Sequence, residues 1–341
     1  DNDHTLACKA TGNLWRKGKN MEIGGLLAYL VSFAIMAGIY AVFTLGLNIQ
    51  WGYTGLFNIG IAGFFCIGAY TSALITSPKP TGLYAEYVQQ IFALGLPFPF
   101  GLIGAALASG FIAFLIGIPT LKLSEDYLAI ATIGIAESIR LIFNNEQWLA
   151  NGPQGLAGLP QPLSGLVDPR YYNYIYLLIV IITLVIIYYL IEKAIRSPWG
   201  RVLRAIREDE VSAAMSGKNI TKFKMQSFVF GAMVMGIGGA LYAHYTKAIS
   251  PDVFTPLYGT FIIWVMIMAG GSGNNKGAIL GAFVVWAIWI GTKFMTSFLP
   301  YTFKSRAPYI RFLLIGILLE IILIMRPQGM LGEEKKVSRM A

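Results

Sequence analysis

The sequence predicts an all-α integral membrane protein: a polytopic helical bundle of about 8–10 transmembrane segments, some of them short or broken, with a further helix on the cytoplasmic side. Three observations predict it. Of 341 residues, 56% are hydrophobic and 13% charged, against roughly 25% charged in soluble domains. Nine apolar stretches follow one another, near residues 26–47, 55–76, 97–121, 127–143, 172–191, 225–246, 257–271, 277–292 and 308–325. Strands of a membrane barrel are about 10 residues long and alternate strictly, which these stretches do not, so helices are expected. Between the fifth and sixth stretches lies the polar segment 193–224, with Lys193, Arg196, Arg201, Arg204, Arg207, Lys218, Lys222 and Lys224 against three acids. Excess Lys and Arg mark a loop as cytoplasmic.

Residues 1–22 are polar and contain no apolar core of a secretory signal, so they are set aside as an extension. The membrane unit is expected over 23–328, with 193–224 as its cytoplasmic loop and 329–341 as a cytoplasmic tail. Several stretches run only 15–17 residues, and glycines cluster at 51–70 and 269–282. Each cluster is interleaved with polar residues: Asn48, Gln50, Tyr53, Thr54 and Asn58 early, Ser272, Asn274 and Asn275 late. Glycines at such spacing pack helices closely. Two polar, glycine-broken regions in early and late positions also fit a degenerate repeat whose unwound backbone faces a central path. In the fourth stretch Glu137 and Arg140 stand three residues apart, one helix face, where they can pair and lower each other's cost in the bilayer. Glu320 in the ninth stretch has no partner nearby in sequence.

Within 193–224 the acids Glu208, Asp209 and Glu210 precede VSAAMS and Gly217. Acids at the N-terminal end and a glycine at the stop predict a short helix. Val211, Ala214 and Met215 then share a shallow apolar face, suited either to the membrane surface or to a groove on another protein.

Chemistry is not expected of this chain. The histidines are His4 and His244, neither in a metal-binding spacing, and no Walker loop is present. No catalytic set and no metal site can be assembled. The formal charge of +9 resides at segment ends and loops, where orientation and anionic membrane lipid account for it without nucleic acid. Cys8 and Cys66 form no framework.

Five motifs carry a resemblance. LGLNIQWGYTGLFNIGIAGFFCIGAYTSALI from Leu45, EDYLAIATIGIAESIRLIFNN with the following NGPQGLAGLP, GRVLRAIREDEVSAAMSGKN and its continuation to SPDVF, MAGGSGNNKGAILGA, and the terminal RPQGMLG stand in order over residues 24–332. Together they resemble the LivM-type permease of branched-chain amino acid ABC transporters. The resemblance implies a binding-protein-dependent importer in the bacterial inner membrane, taking branched-chain or neutral amino acids, with urea or short amides as the alternative. It implies four kinds of partner: a homologous LivH-like permease, two cytoplasmic ATPases holding ATP and Mg, a periplasmic substrate-binding protein, and membrane lipid. The segment 204–219 then corresponds to the coupling segment that seats in an ATPase groove. Its contact residues would be Arg204, Arg207, Glu208, Asp209, Val211, Ala214 and Met215. Asn48, Gln50, Tyr53, Asn58, Glu137 and Arg140 would be candidates for the substrate path.

Overall fold

The computed structural model describes residues 2–79, 89–169, 171–297 and 328–333, with isolated positions between 309 and 325. Helix α1 (Asn2–Leu47) runs into a π turn, Asn48–Gly52. An extended stretch then reaches α2 (Ile61–Thr76). Next come α3 (Phe98–Thr120), α4 (Glu125–Asn145), a single turn α5 (Gln147–Ala150) and strand β1 (Leu156–Ala157). Helices α6 (Tyr172–Arg196), α7 (Pro198–Glu208), α8 (Glu210–Met215) and α9 (Ile220–Thr246) follow. The described chain closes with β2 (Ala248–Ile249), a π turn at Leu257–Phe261, α10 (Ile262–Gly270) and α11 (Asn275–Ser297). Residues 2–22, set aside from sequence as an extension, belong to α1.

Among the described residues five helical spans are long and apolar enough to cross a membrane: Gly25–Gly52, α3, α6, α9 and 275–292. Helix α2 and the Leu257–Gly270 helix are shorter apolar pieces, and α4 carries the Glu137–Arg140 pair. That makes eight of the nine expected segments. Half of the ninth, 308–325, lies outside the described residues, as do Lys335, Lys336 and Arg339.

Contacts sort the helix ends into two levels. Gly52, Glu192, Arg207 and Gly273 meet at one level. At the other, β1 pairs antiparallel with β2, and His244 joins Ser72 to the Pro160 carbonyl. The basic segment places the first level in the cytoplasm. Helices α1, α3, α6 and α10 therefore run toward the cytoplasm, while α2, α4, α9 and α11 run away from it, and α1 begins on the outer side.

Helix α9 is the centre, packed on α1, α2 and α3. Its apolar window is 72% buried, against 22% for the peripheral α6. Lipid gives helices no hydrophobic reason to associate, so close backbone approach and hydrogen bonds must hold them. Gly68 of α2 supplies the approach: a Cβ there would stand 2.2 Å from the Gly236 carbonyl oxygen of α9. Ser109 of α3 lies against Gly236 from another side.

Candidate functional site

The cytoplasmic level gathers the polar residues that interrupt the apolar helices. At the end of α1 the backbone widens into the π turn, and Gly55 at φ +77° reverses the chain. Unwound backbone within a bilayer needs internal partners, and amide side chains supply them. Asn48 donates to Asn275 Oδ1 at 3.0 Å and accepts from the Gly273 N–H at 2.9 Å. Asn275 donates onward to Glu192 at 2.8 Å, and Glu192 also accepts from Arg196 at 2.8 Å. Gln50 donates to the Phe228 carbonyl at 2.7 Å and accepts from Asn58 at 2.7 Å. Asn58 in turn receives the Gly60 N–H, and its carbonyl receives the Trp264 indole. The early and late glycine clusters thus meet, and Asn48, Gln50 and Asn58 are wholly buried with Tyr53 nearly so. They close on each other in this conformation.

The basic segment stands directly beneath this network. Pro198 opens α7 while the Ser197 hydroxyl caps it by accepting from the Trp199 N–H. Leu203 and Ile206 face inward. Asp209 ends α7 and caps α8, accepting from the Val211 and Ser212 N–H groups and from the Ser212 hydroxyl at 2.6 Å. Those bonds, the Ser212 hydroxyl foremost, hold the Asp209 carboxyl below its ordinary range. Gly217, at φ +77°, carries the chain off α8 in the left-handed region. Asn219 then caps α9, and Lys224 pairs with Glu210 at 2.5 Å.

Seven residues of this segment were expected to face outward, and five do. Glu208, Asp209 and Ala214 are exposed, as are Val211 at 66% and Met215 at 84%. Arg204 and Arg207 turn inward instead. Arg204 donates to the Ile195 carbonyl at 3.1 Å, tying α7 to the end of α6. Arg207 is half-buried, donating to the Gly52 carbonyl at the end of the π turn and pairing with Glu333 at 2.6 Å. A basic residue on the buried face of a short helix finds carbonyls and carboxylates there, and α7 is such a helix. A cavity of about 570 Å³ opens between this arginine, Thr54, Lys122 and Lys224.

Glu137 and Arg140 do pair, with Arg140 Nη2 2.5 Å from Glu137 Oε1 and Nε bonded to both carboxylate oxygens. They stand three turns into α4, about 20 Å from its cytoplasmic start, apart from the Asn48 network. Sequence reasoning missed two participants. Glu192 carries the network from Asn275 to Arg196, and its only signal was an acid on the last turns of an apolar helix. His244, buried between Ser72 at 2.9 Å and Pro160, ties α9 to α2 and to the outer loop. Among the described residues no three His, Cys, Asp or Glu side chains group as a metal site would require.

A helical membrane bundle broken by buried amides, with a capped cytoplasmic helix beneath it, suits a transport pathway. A profile of the family "branched-chain amino acid transport system / permease component" matches residues 29–323. The chain belongs to this family. Among its relatives, the high-affinity branched-chain amino acid transport system permease protein LivM of Salmonella typhimurium is 32% identical over 323 residues, covering 88% of this chain and 69% of that protein. LivM of Escherichia coli is 31% identical over the same shares. The xylose transport system permease protein XylH of Escherichia coli is 27% identical over 118 residues, a third of this chain. No solved structure matches. The chain is a LivM-type, multi-pass membrane permease, and its relatives are transport permeases.

Proposed function

We propose that this chain is the LivM-like half of a binding-protein-dependent ABC importer for branched-chain or neutral amino acids, and that α8 is the element through which an ATPase drives it. A homologous LivH-like permease, two ATPases carrying ATP and Mg, and a periplasmic binding protein complete the assembly. One observation carries the reading. Val211 and Met215 expose large apolar side chains on a helix capped at both ends, while the base of that helix is bolted to the permease through Ile206 and Arg207. Apolar anchors on a rigid short helix fit a groove on a partner. Their positions also coincide with the coupling segment of the family resemblance. The names of the curated relatives support amino acids over urea or amides.

In this reading ATP binding moves the ATPase grooves, α8 follows, and α7 transmits the displacement through Arg207 to the broken end of α1. The permease pair then exchanges inward- and outward-open states, which substrate biases only by differential affinity. Replacing Val211 and Met215 by Asp tests this in proteoliposomes of the complete transporter. Insertion and assembly with the second permease should persist. Substrate-stimulated ATP hydrolysis and uptake should fall about tenfold or more, since each carboxylate would be buried unpaired in the groove. Normal uptake with normal stimulation would refute the assignment.

A further inference from the structure

Helices α6 and α11 leave an open apolar groove between them. Leu184 and Tyr188 form one wall, Ile279, Leu280 and Phe283 the other, and Leu331 closes one end; the space is about 480 Å³. Lys276 lines the same groove at its cytoplasmic end, and its side chain is exposed. On α6 the groove face continues past Tyr188 to Glu192 and then Arg196, whose side chain is 73% exposed. Glu192 is already engaged by Asn275 and Arg196. Lys276 thus stands exposed at the level where lipid headgroups lie.

We infer that this groove is a binding site for an anionic glycerophospholipid of the cytoplasmic leaflet, with an acyl chain between α6 and α11 and its phosphate at Lys276. Three features of the groove match that ligand. Both walls belong to membrane-spanning helices, so hydrocarbon, not water, must fill it. Its apolar length runs along the helices, parallel to an acyl chain. The positive charge is confined to the cytoplasmic end, and basic pockets between membrane helices on that side attract anionic headgroups.

Native mass spectrometry of the assembled transporter in detergent tests the site, using phosphatidylglycerol and phosphatidylcholine of identical acyl chains. The wild type should retain phosphatidylglycerol preferentially. Lys276→Gln should lower that retention about fivefold, the worth of one lysine at an anionic surface, and leave phosphatidylcholine unchanged. Leu280→Trp, which fills the groove without touching charge, should lower retention of both lipids. Equal retention of the two lipids by the wild type, or retention unaffected by Lys276→Gln, would overturn the inference. So would displacement of phosphatidylglycerol by excess inorganic phosphate, which would mark a free-anion site. Efficient cross-linking of Val185→Cys to the second permease would assign the groove to that subunit instead.

Discussion

Arg207→Ala is the most informative single change, because the arginine joins three parts of the chain that sequence keeps far apart. Its pair with Glu333 has side chains 24% and 34% exposed. Solvent screening at that exposure limits the pair to about 1 kcal/mol or less. The Gly52 carbonyl is a different matter. Gly52 is buried, and removing a charged donor from an enclosed acceptor costs about 1–3 kcal/mol. Arg207→Ala should therefore destabilise the assembled transporter clearly more than Glu333→Gln does. In the double variant, most of the cost of Arg207→Ala should persist, because the Gly52 share does not depend on Glu333. Thermal unfolding of the four proteins gives this cycle. Measuring ATP hydrolysed per substrate moved gives its functional counterpart, and the ratio should rise in Arg207→Ala as α7 moves without carrying the π turn. Arg207→Lys should rescue only part, since an ammonium cannot bridge both acceptors as a guanidinium fork does. If Arg207→Ala and Glu333→Gln cost the same and leave the ratio alike, no link between α7 and the broken helix remains to be argued.

Three further expectations follow from the same geometry. Asn48→Ala strands the Gly273 N–H and one bond of Asn275, costing about 1–3 kcal/mol; unfolding temperature checks it, and Asn48→Ser, too short to reach both partners, should not restore the loss. Gly68→Val drives side-chain atoms into the Gly236 backbone, an overpacking worth about 1–3 kcal/mol or more, and the yield of monodisperse protein should drop, whereas Gly291→Ala, with open space around it, should be silent. Asp209→Ala should weaken coupling by loosening α8, while Asp209→Asn, an equally good cap, should not. Because its carboxyl is held below the usual range, the ionised cap is present above the unfolded value and is lost only as pH falls through the lower folded one. Coupling measured from pH 5 to 8 should therefore show no dependence on Asp209 ionisation.

The membrane class and the cytoplasmic loop were legible because they rest on composition and charge, which need no knowledge of neighbours. Helix α8 was legible too, its limits being written locally in Asp209 and Gly217. Helix α7 was not, because Arg201, Arg204 and Arg207 masked the inward face made by Leu203 and Ile206. The inward turn of Arg207 was beyond reach, since its partners lie 155 and 126 residues away. The two glycine clusters were legible as polar, glycine-broken regions, and the structure brings them into contact. Their amides were expected to face a wet path, yet in this conformation Asn48 donates to Asn275 and accepts from the Gly273 N–H, and Asn275 donates to Glu192, so each side-chain polar atom of that pair has a partner. Partner choice among amides is a property of the folded arrangement, and no local pattern encodes it.

The tight seat of α2 against α9 also bears on how the protein is made. Helix α2 has 16 residues, about 24 Å, less than the roughly 30 Å of hydrocarbon it must cross. Its Gly68 seats on α9, which emerges from the ribosome after α3 to α8. Until then α2 sits in the membrane as a short, poorly anchored hairpin partner of α3, its unwound entry at Asn48–Asn58 still lacking the Phe228 carbonyl and the Asn275 side chain. Completion of the bundle is thus deferred to the second half of synthesis, and a nascent chain halted before Gly236 would present the insertion machinery with an unfinished first half.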